Sequence, residues 1–316
     1  MDLTTKHQKL SVVIPVCDSA RNAADVFQQY KAKCETLASE VEYIYVSSTN
    51  DADTLKALRT LKEKEASLHL IILSRSYGEG TALQAGFDLA SGDLILTLPA
   101  SYTQVEVNEL DKLFEKIDEF PVVLAKRWPR SESGFNRAQS RVFNWLLKYL
   151  SDQTYSDIGC SVKLMRAEVT KELYLYGEQH RFLPLLAYQA GFLYTEVDIS
   201  SSVKDSPRIY APKVYVRRTL DLITIVFLTK FNKKPLRFFG LIGSAAIIFS
   251  VLGMLYMAYQ RLALDMSMAD RPLLVMFCLF LVLGVQLMAI GLVGETVTFI
   301  HARDNKEYRI KEIIED

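Results

Sequence analysis

Residues 238–260 read FFGLIGSAAIIFSVLGMLYMAYQ and residues 272–294 read PLLVMFCLFLVLGVQLMAIGLVG, two runs of 23 residues without a charged side chain. Each is long enough, as a helix, to cross the roughly 30 Å hydrocarbon core of a bilayer. Neither alternates as a half-buried strand does, and both exceed the length of a core strand. A pair of greasy helices inside a soluble core is the competing reading, but two such runs back to back are rare in soluble domains. The expectation is a two-helix transmembrane hairpin over residues 236–300. The link between the runs carries Arg261, Asp265, Asp270 and Arg271, a balanced set. Arg217, Arg218, Lys230, Lys233, Lys234 and Arg237 precede the first run, and His301, Arg303, Lys306, Arg309 and Lys311 follow the second. Positive charge gathers on the cytoplasmic side of a membrane protein. Both termini and the large N-terminal region are therefore expected in the cytoplasm, on an inner or plasma membrane.

The rest of the 316-residue chain is a different kind of sequence. Net charge is zero, which gives no support for a nucleic-acid partner. Cys17, Cys34, Cys160 and Cys278 form no CxxC or Cys/His ligand spacing, so no structural zinc is expected. The opening MDLTTKHQKLSVVIPV does not read as a signal peptide, because Pro15 and Asp18 cut its apolar run short.

Working back from the hairpin, strand candidates and helical stretches alternate. Residues 10–16 (LSVVIPV), 41–46 (VEYIYV), 68–73 (LHLIIL), 94–98 (LILTL) and 122–125 (VVLA) read as strands. Residues 26–37, 53–65, 80–90 and 105–117 between them read as helices. A strand over 194–199 follows, with Glu196 and Asp198 on one face. This is the pattern of an α/β fold with a mostly parallel sheet. Ligands of such sheets bind beyond the carboxyl ends of the strands, which directs attention to residues 17–18, 47–50, 74–80, 99–101 and 126–128. There is no GxGxxG dinucleotide fingerprint and no GxxxxGK[ST] phosphate loop. Gly78-Glu79-Gly80 reads either as a plain turn and helix start or as backbone that approaches a ligand and offers amides at a helix N-terminus. Residues 127–141, broken by Pro129 and Gly134, read as a loop over a site. Residues 214–235 read as an amphipathic juxtamembrane segment, with Leu220, Ile223, Phe227 and Leu228 toward the interface. An ordinary linker helix with a solvated basic face is the alternative.

Several pieces, in this order, resemble a family-2 glycosyltransferase of the branch that loads sugars onto polyprenyl phosphates, such as dolichyl-phosphate mannose synthase and the undecaprenyl-phosphate glucosyl and aminoarabinosyl transferases. They are SVVIPV, VSSTND, SRSYGEGTALQAGFDLASGDLIL, AKRW, DIGCSVKLMRAE, RFLPLLAYQAG with TEVDI, SPRIYAPK and GLVGETVTFIHARDNKEYRIKE. The resemblance implies a GT-A (nucleotide-diphospho-sugar transferase) fold over residues 1–213 and a cytoplasmic tail over 301–316. It also implies a nucleotide-sugar donor and a polyprenyl-phosphate acceptor. Carried over residue by residue, it implies Asp157 and Arg127 at the catalytic centre. Pro15, Val16, Ser48, Gly80 and Ser101 would stand around the nucleotide sugar, and Arg208, Lys213, Arg217 and Arg218 around the lipid phosphate. A homo-oligomer or a membrane enzyme partner is left open, Ala245, Ala246 and Gly253 being small enough for close helix contact.

The sequence departs from the family at the donor side. The family's acidic run after the second strand is Ser47-Ser48-Thr49-Asn50 here, and its DxD metal motif is Pro99-Ala100-Ser101. Carboxylates are the usual ligands of Mg²⁺ and Mn²⁺. The cofactor is therefore left open, with no ordinary DxD site expected. Asp93 and Glu106 stand too far along the chain to substitute. Two readings follow: a transferase with an altered donor site, or an inactive relative that binds lipid phosphate or scaffolds a membrane glycosylation enzyme. A polysaccharide synthase or transporter is a weaker third, since two spans offer little for a pore.

Overall fold

The computed structural model describes residues 7–17, 20, 22–100, 103–128, 156–157, 159–175, 177, 179–201, 235–264 and 272–302. The chain divides into two compact units, residues 1–218 and 219–316. The first unit holds seven strands: β1 (His7–Val16), β2 (Ala38–Ser47), β3 (Leu68–Ile72), β4 (Leu94–Thr97), β5 (Val122–Trp128), β6 (Lys163–Arg166) and β7 (Tyr194–Ser200). Between them lie α1 (Ala23–Leu37), α2 (Ala52–Lys64), α3 (Glu79–Leu89), α4 (Asp111–Phe114), α5 (Ala167–Glu172) and α6 (Leu183–Gln189).

Helices cover both faces of the sheet, which is why its strands read as near-continuous apolar runs. Leu10, Val12, Ile14 and Val16 of β1 point into one core with Val26, Phe27, Tyr30 and Cys34 of α1. Val13 points into the other, with Ile44 and Val46 of β2 and Ala82, Leu83 and Phe87 of α3. Gly86 lets α3 lie directly on the sheet: a Cβ there would stand 2.4 Å from Val13 Cγ1 and 3.3 Å from Val46 Cγ2. Gly86→Ala is expected to destabilise the domain by about 1–2 kcal/mol, overpacking strain outweighing the gain in helix propensity. Denaturant unfolding of the two proteins measures it.

The strand order is β3-β2-β1-β4-β6-β5-β7. Every pairing is parallel except those of β6, which runs antiparallel to β4 and β5. This reversal shapes the site. The residues entering β6 lie at the same edge as the carboxyl ends of β4 and β5, since Lys163 pairs with Thr97 and with Leu124.

Strand β6 and helix α5 were not among the elements expected from sequence, and one expected helix takes another form. The helix read over 105–117 is a 3-10 turn, Val107–Leu110, followed by the single α-helical turn α4. Tertiary bonds take its beginning. Val105 bridges Ser201, the Glu106 amide donates to Ser200 O at 2.9 Å, and the Glu109 carboxylate accepts from the Ser200 hydroxyl at 2.6 Å. The helical spacing survives in what is buried: Leu110, Leu113, Phe114 and Ile117. Asp93 lies at the amino end of β4, its amide bonded to Lys9 O at 3.0 Å, at the edge of the sheet away from the carboxyl ends.

The second unit is a pair of long helices, α7 (Pro235–Leu264) and α8 (Pro272–Ala302). Glycines set their contact. A Cβ on Gly284 would lie 2.7 Å from Gly243 O, and one on Gly253 would run into the Phe277 ring. The Ser250 hydroxyl donates across the pair to Phe277 O. The Leu236 amide, unpaired within its own helix, donates to the Glu295 carboxylate at 3.3 Å. Gly253 is thus used inside the pair, where the sequence offered it for contact with another chain. Only 11% of each apolar window is buried. Helices of a soluble core would be mostly buried, so the two spans belong in a bilayer, and the protein is an integral membrane protein.

Candidate functional site

The carboxyl edge of the sheet gathers groups from five strands. At the ends of β1 and β2 the Ser48 amide donates to Val16 O at 2.9 Å, and the Ser48 hydroxyl donates to Cys17 Sγ at 3.3 Å. Pro15 pairs with Val46 inside the sheet, and the Val16 side chain is part of the core. What these positions present is backbone and the Ser48–Cys17 pair. No carboxylate occupies 47–50.

After β3 the chain turns into α3 through Gly78, whose φ of +92° favours glycine. A Cβ there would stand 3.0 Å from Gly177 O, and Gly80 gives its own amide to that carbonyl at 2.8 Å. The close backbone approach that this Gly-Glu-Gly turn allows is therefore to Gly177. Glu79, between the glycines, receives His180 Nε2 at 3.2 Å.

After β4, Pro99 and Ala100 are buried and offer no side-chain oxygen. The next described residues tie this segment to the entry of β6: Gln104 Oε1 accepts from the Ser161 amide at 2.7 Å, and Gln104 is 3% exposed. The family's divalent cation does not fit this donor set. Among the described residues no group of three or more His, Cys, Asp or Glu side chains could hold a metal ion. Glu106 is exposed, and its amide is bonded to Ser200 O of β7.

Arg127 ends β5, and Asp157 precedes β6. They meet in a fork: Arg127 Nε donates to Asp157 Oδ2 at 2.7 Å and Nη2 to Oδ1 at 2.9 Å. The Arg127 amide adds a longer bond to Oδ2 at 3.3 Å. Such bidentate, charge-assisted pairs fix geometry as well as adding energy. The Asp157 side chain is 1% exposed and that of Arg127 17%, so the fork is almost dry. The loop holding Asp157 is anchored on either side, by the Ser156 amide on Glu196 at 2.7 Å and by Gln104 on Ser161. Of the residues singled out by sequence, then, Arg127 and Asp157 are brought into contact. Ser101, Arg208, Lys213, Arg217 and Arg218 lie outside the described residues.

Three groups at this edge were missed by sequence reasoning: Gln104, Lys163 and His180. Lys163 is 6% exposed, and its ammonium donates to Cys160 O at 2.6 Å. Burial pulls its pKa below the usual lysine range, against the fields of the Cys160 thiol, Glu79 and Asp157. His180 is pushed down to about 3 by burial, then by the charges of Lys163 and Arg181. The Glu79 carboxylate beside its ring favours the charged form, but burial and the two cations outweigh one partly exposed carboxylate. His180 is neutral and donates to Glu79, while among the described residues its Nδ1 finds no hydrogen-bond partner. Burial raises the Cys160 thiol to about 11, so it is protonated and no nucleophile. The available signal was a lysine among the apolar residues of the run VKLM, since charged side chains are rarely buried without cause.

Comparison with known proteins agrees with this architecture. Dodecaprenyl-phosphate galacturonate synthase of Rhizobium johnstonii is 25% identical over 98% of this chain and 94% of its own. Undecaprenyl-phosphate 4-deoxy-4-formamido-L-arabinose transferase of Salmonella paratyphi A is 29% identical over 97% and 94%. Among solved structures, glucosyl-3-phosphoglycerate synthase from Mycobacterium tuberculosis, in complex with Mn²⁺, uridine diphosphate and phosphoglyceric acid, superposes with a TM-score of 0.54. That match covers 70% of this chain and 78% of the other at 15% identity, a likeness of fold alone. The model of glycosyl transferase family 2 matches residues 11–174, more than half of the chain, and the protein belongs to that family.

Proposed function

We propose that this protein is a membrane-anchored transferase that moves a sugar from a nucleotide-sugar donor to the phosphate of a polyprenyl lipid. The observation that carries the reading is the Arg127–Asp157 fork at the carboxyl edge of the sheet, in a chain that also bears two lipid-facing helices. Relatives that match nearly the full length, apolar helices included, are named for transfer to dodecaprenyl or undecaprenyl phosphate, which favours that acceptor class.

In this reaction an acceptor phosphate oxygen attacks the anomeric carbon. The bond from that carbon to the diphosphate oxygen breaks, and its electron pair leaves with the nucleoside diphosphate. The acceptor oxygen is already anionic, so a strong general base is not required. Asp157, held by Arg127, serves to orient the guanidinium toward phosphate rather than to take a proton. Arg208, Lys213, Arg217 and Arg218 precede the first span and are assigned to the lipid phosphate. Both termini are assigned to the cytoplasm, on the charge flanking the spans. Arg208→Ala is expected to raise the KM for polyprenyl phosphate about tenfold, the loss of one charge-assisted contact, while the unfolding midpoint stays put. An unchanged KM removes Arg208 from the acceptor site.

Pro99 and Ala100 favour a second reading, an inactive relative that still binds lipid phosphate. Membranes containing the protein, given radiolabelled nucleotide sugars and undecaprenyl phosphate with and without a chelator, separate the two. Labelled lipid product establishes the transferase. Lipid-phosphate binding without turnover on any donor establishes the inactive relative.

A further inference from the structure

A transferase that expels a diphosphate needs positive charge where the leaving oxygen departs, and Pro99-Ala100 cannot supply it through a bound cation. The same edge of the sheet holds a lysine that nothing else explains. Lys163 stands in register with Thr97, two residues before Pro99, on a strand whose entry is tied to the segment after Ala100. The Thr97 hydroxyl donates to Ser161 O at 2.6 Å, so the Pro99-Ala100 segment leaves the sheet beside the loop that Lys163 grips. The lysine is 6% exposed. An ammonium has three donors, yet among the described residues this one makes a single hydrogen bond, to Cys160 O, and no ion pair. Glu79 and Asp157 reach it only through their fields. Each is already engaged elsewhere, Glu79 with His180 and Asp157 with Arg127.

Burying an ammonium with two unused donors is costly, and a neutral side chain of the same length would fold more easily. We propose that Lys163 is an anion-binding residue of the transfer site, its ammonium taking the charge of the donor's diphosphate in place of a divalent cation. The proposal rests on the transferase reading above and adds to it the group that makes the altered donor site workable. Arg127, fixed by Asp157, supplies a second cation at the same edge. The ligand chemistry is a nucleoside diphosphate, recognised through its phosphates. His180, kept neutral, adds no competing charge.

The test is calorimetric binding of UDP, GDP and inorganic pyrophosphate to the full-length protein in detergent. It compares wild type with Lys163→Met, each in excess Mg²⁺ and in EDTA, with thermal unfolding of the unliganded proteins alongside. Wild type is expected to bind at least one probe with the same affinity in Mg²⁺ and in EDTA. Lys163→Met is expected to bind that probe at least tenfold more weakly while unfolding at the same or a higher temperature. A merely structural lysine would instead lower the unfolding temperature. Binding by wild type that is lost in EDTA overturns the proposal, whatever the variant does. So does binding by Lys163→Met with undiminished affinity, and in both cases the transferase reading stands. Failure of wild type to bind any of the three probes overturns the proposal and the transferase reading together.

Discussion

Asp157→Ala is expected to abolish sugar transfer and to destabilise the sheet domain by about 3–5 kcal/mol, the cost of removing one partner from a buried ion pair. The reason is what remains behind. Arg127 would keep its guanidinium in a pocket where it is 17% exposed, with the two fork bonds at 2.7 and 2.9 Å gone. For a domain of this size the loss corresponds to a fall in unfolding temperature on the order of 10 °C. The Asp157→Asn variant tells positioning from proton transfer. An amide keeps the shape and one acceptor for Arg127 but cannot take a proton. If Asp157 orients Arg127, Asn retains measurable transfer and Arg127→Lys loses it, because an ammonium cannot reproduce the fork. If Asp157 is a base, Asn is as dead as Ala and Arg127→Lys is the milder change. The double variant Arg127→Ala/Asp157→Ala is expected to be less destabilised than the sum of the single ones by more than about 1 kcal/mol, as interacting partners are. Additive losses would mean that the fork carries no coupling.

Much of the sheet could be read from residues 10–128, because local pattern and tertiary role agree there. The run LSVVIPV is apolar throughout because both faces of β1 are covered, and its strand begins three residues earlier than the pattern suggests. Strand direction is another matter. Nothing in SVKLMRAE distinguishes a parallel from an antiparallel partner, since the pairing with Leu94–Thr97 is decided by where the preceding chain delivers Lys163. The helix over 105–117 failed for a related reason: Ser200 and Ser201, some 90 positions away, claim the backbone and the Glu109 carboxylate at its start. Asp157 and Arg127 were named through the family resemblance, but their contact is not legible in sequence, because it joins β5 to the loop entering β6. Lys163 and His180 were hidden by their neighbours. One sits in a strand and the other at a helix start, and only the fold shows that both ammonium and ring are buried beside Glu79.

That buried ring makes the domain acid-sensitive. His180 is expected to remove stability as pH falls below about 6.5, the pKa of an unfolded histidine. Its folded value is about 3. Between those limits the unfolded chain binds a proton that the folded chain refuses, so stability rises with pH across the window. The contribution is complete above pH 6.5 and is lost progressively as pH drops toward 3, at about 1.4 kcal/mol per unit. By pH 4.5 this amounts to about 3 kcal/mol, a sizeable part of a domain's whole stability. Three charged groups face the ring. Glu79 at the start of α3 favours protonation, while Lys163 on β6 and Arg181, which shares with His180 the 3-10 turn Gln179–Phe182, oppose it, together with burial. His180→Gln isolates the effect, because an amide still donates to Glu79 and does not titrate. Unfolding of the two proteins, followed from pH 7.5 to pH 4.5, should give curves that run together at the alkaline end and separate below pH 6.5, with His180→Gln the more stable. Curves that separate the other way, with wild type gaining on His180→Gln as pH falls, would mean that Glu79 wins and that the ring is charged in the folded protein. A second cation would then stand beside Lys163, and the charge offered to a diphosphate at this edge would rise with acidity instead of being fixed by the lysine.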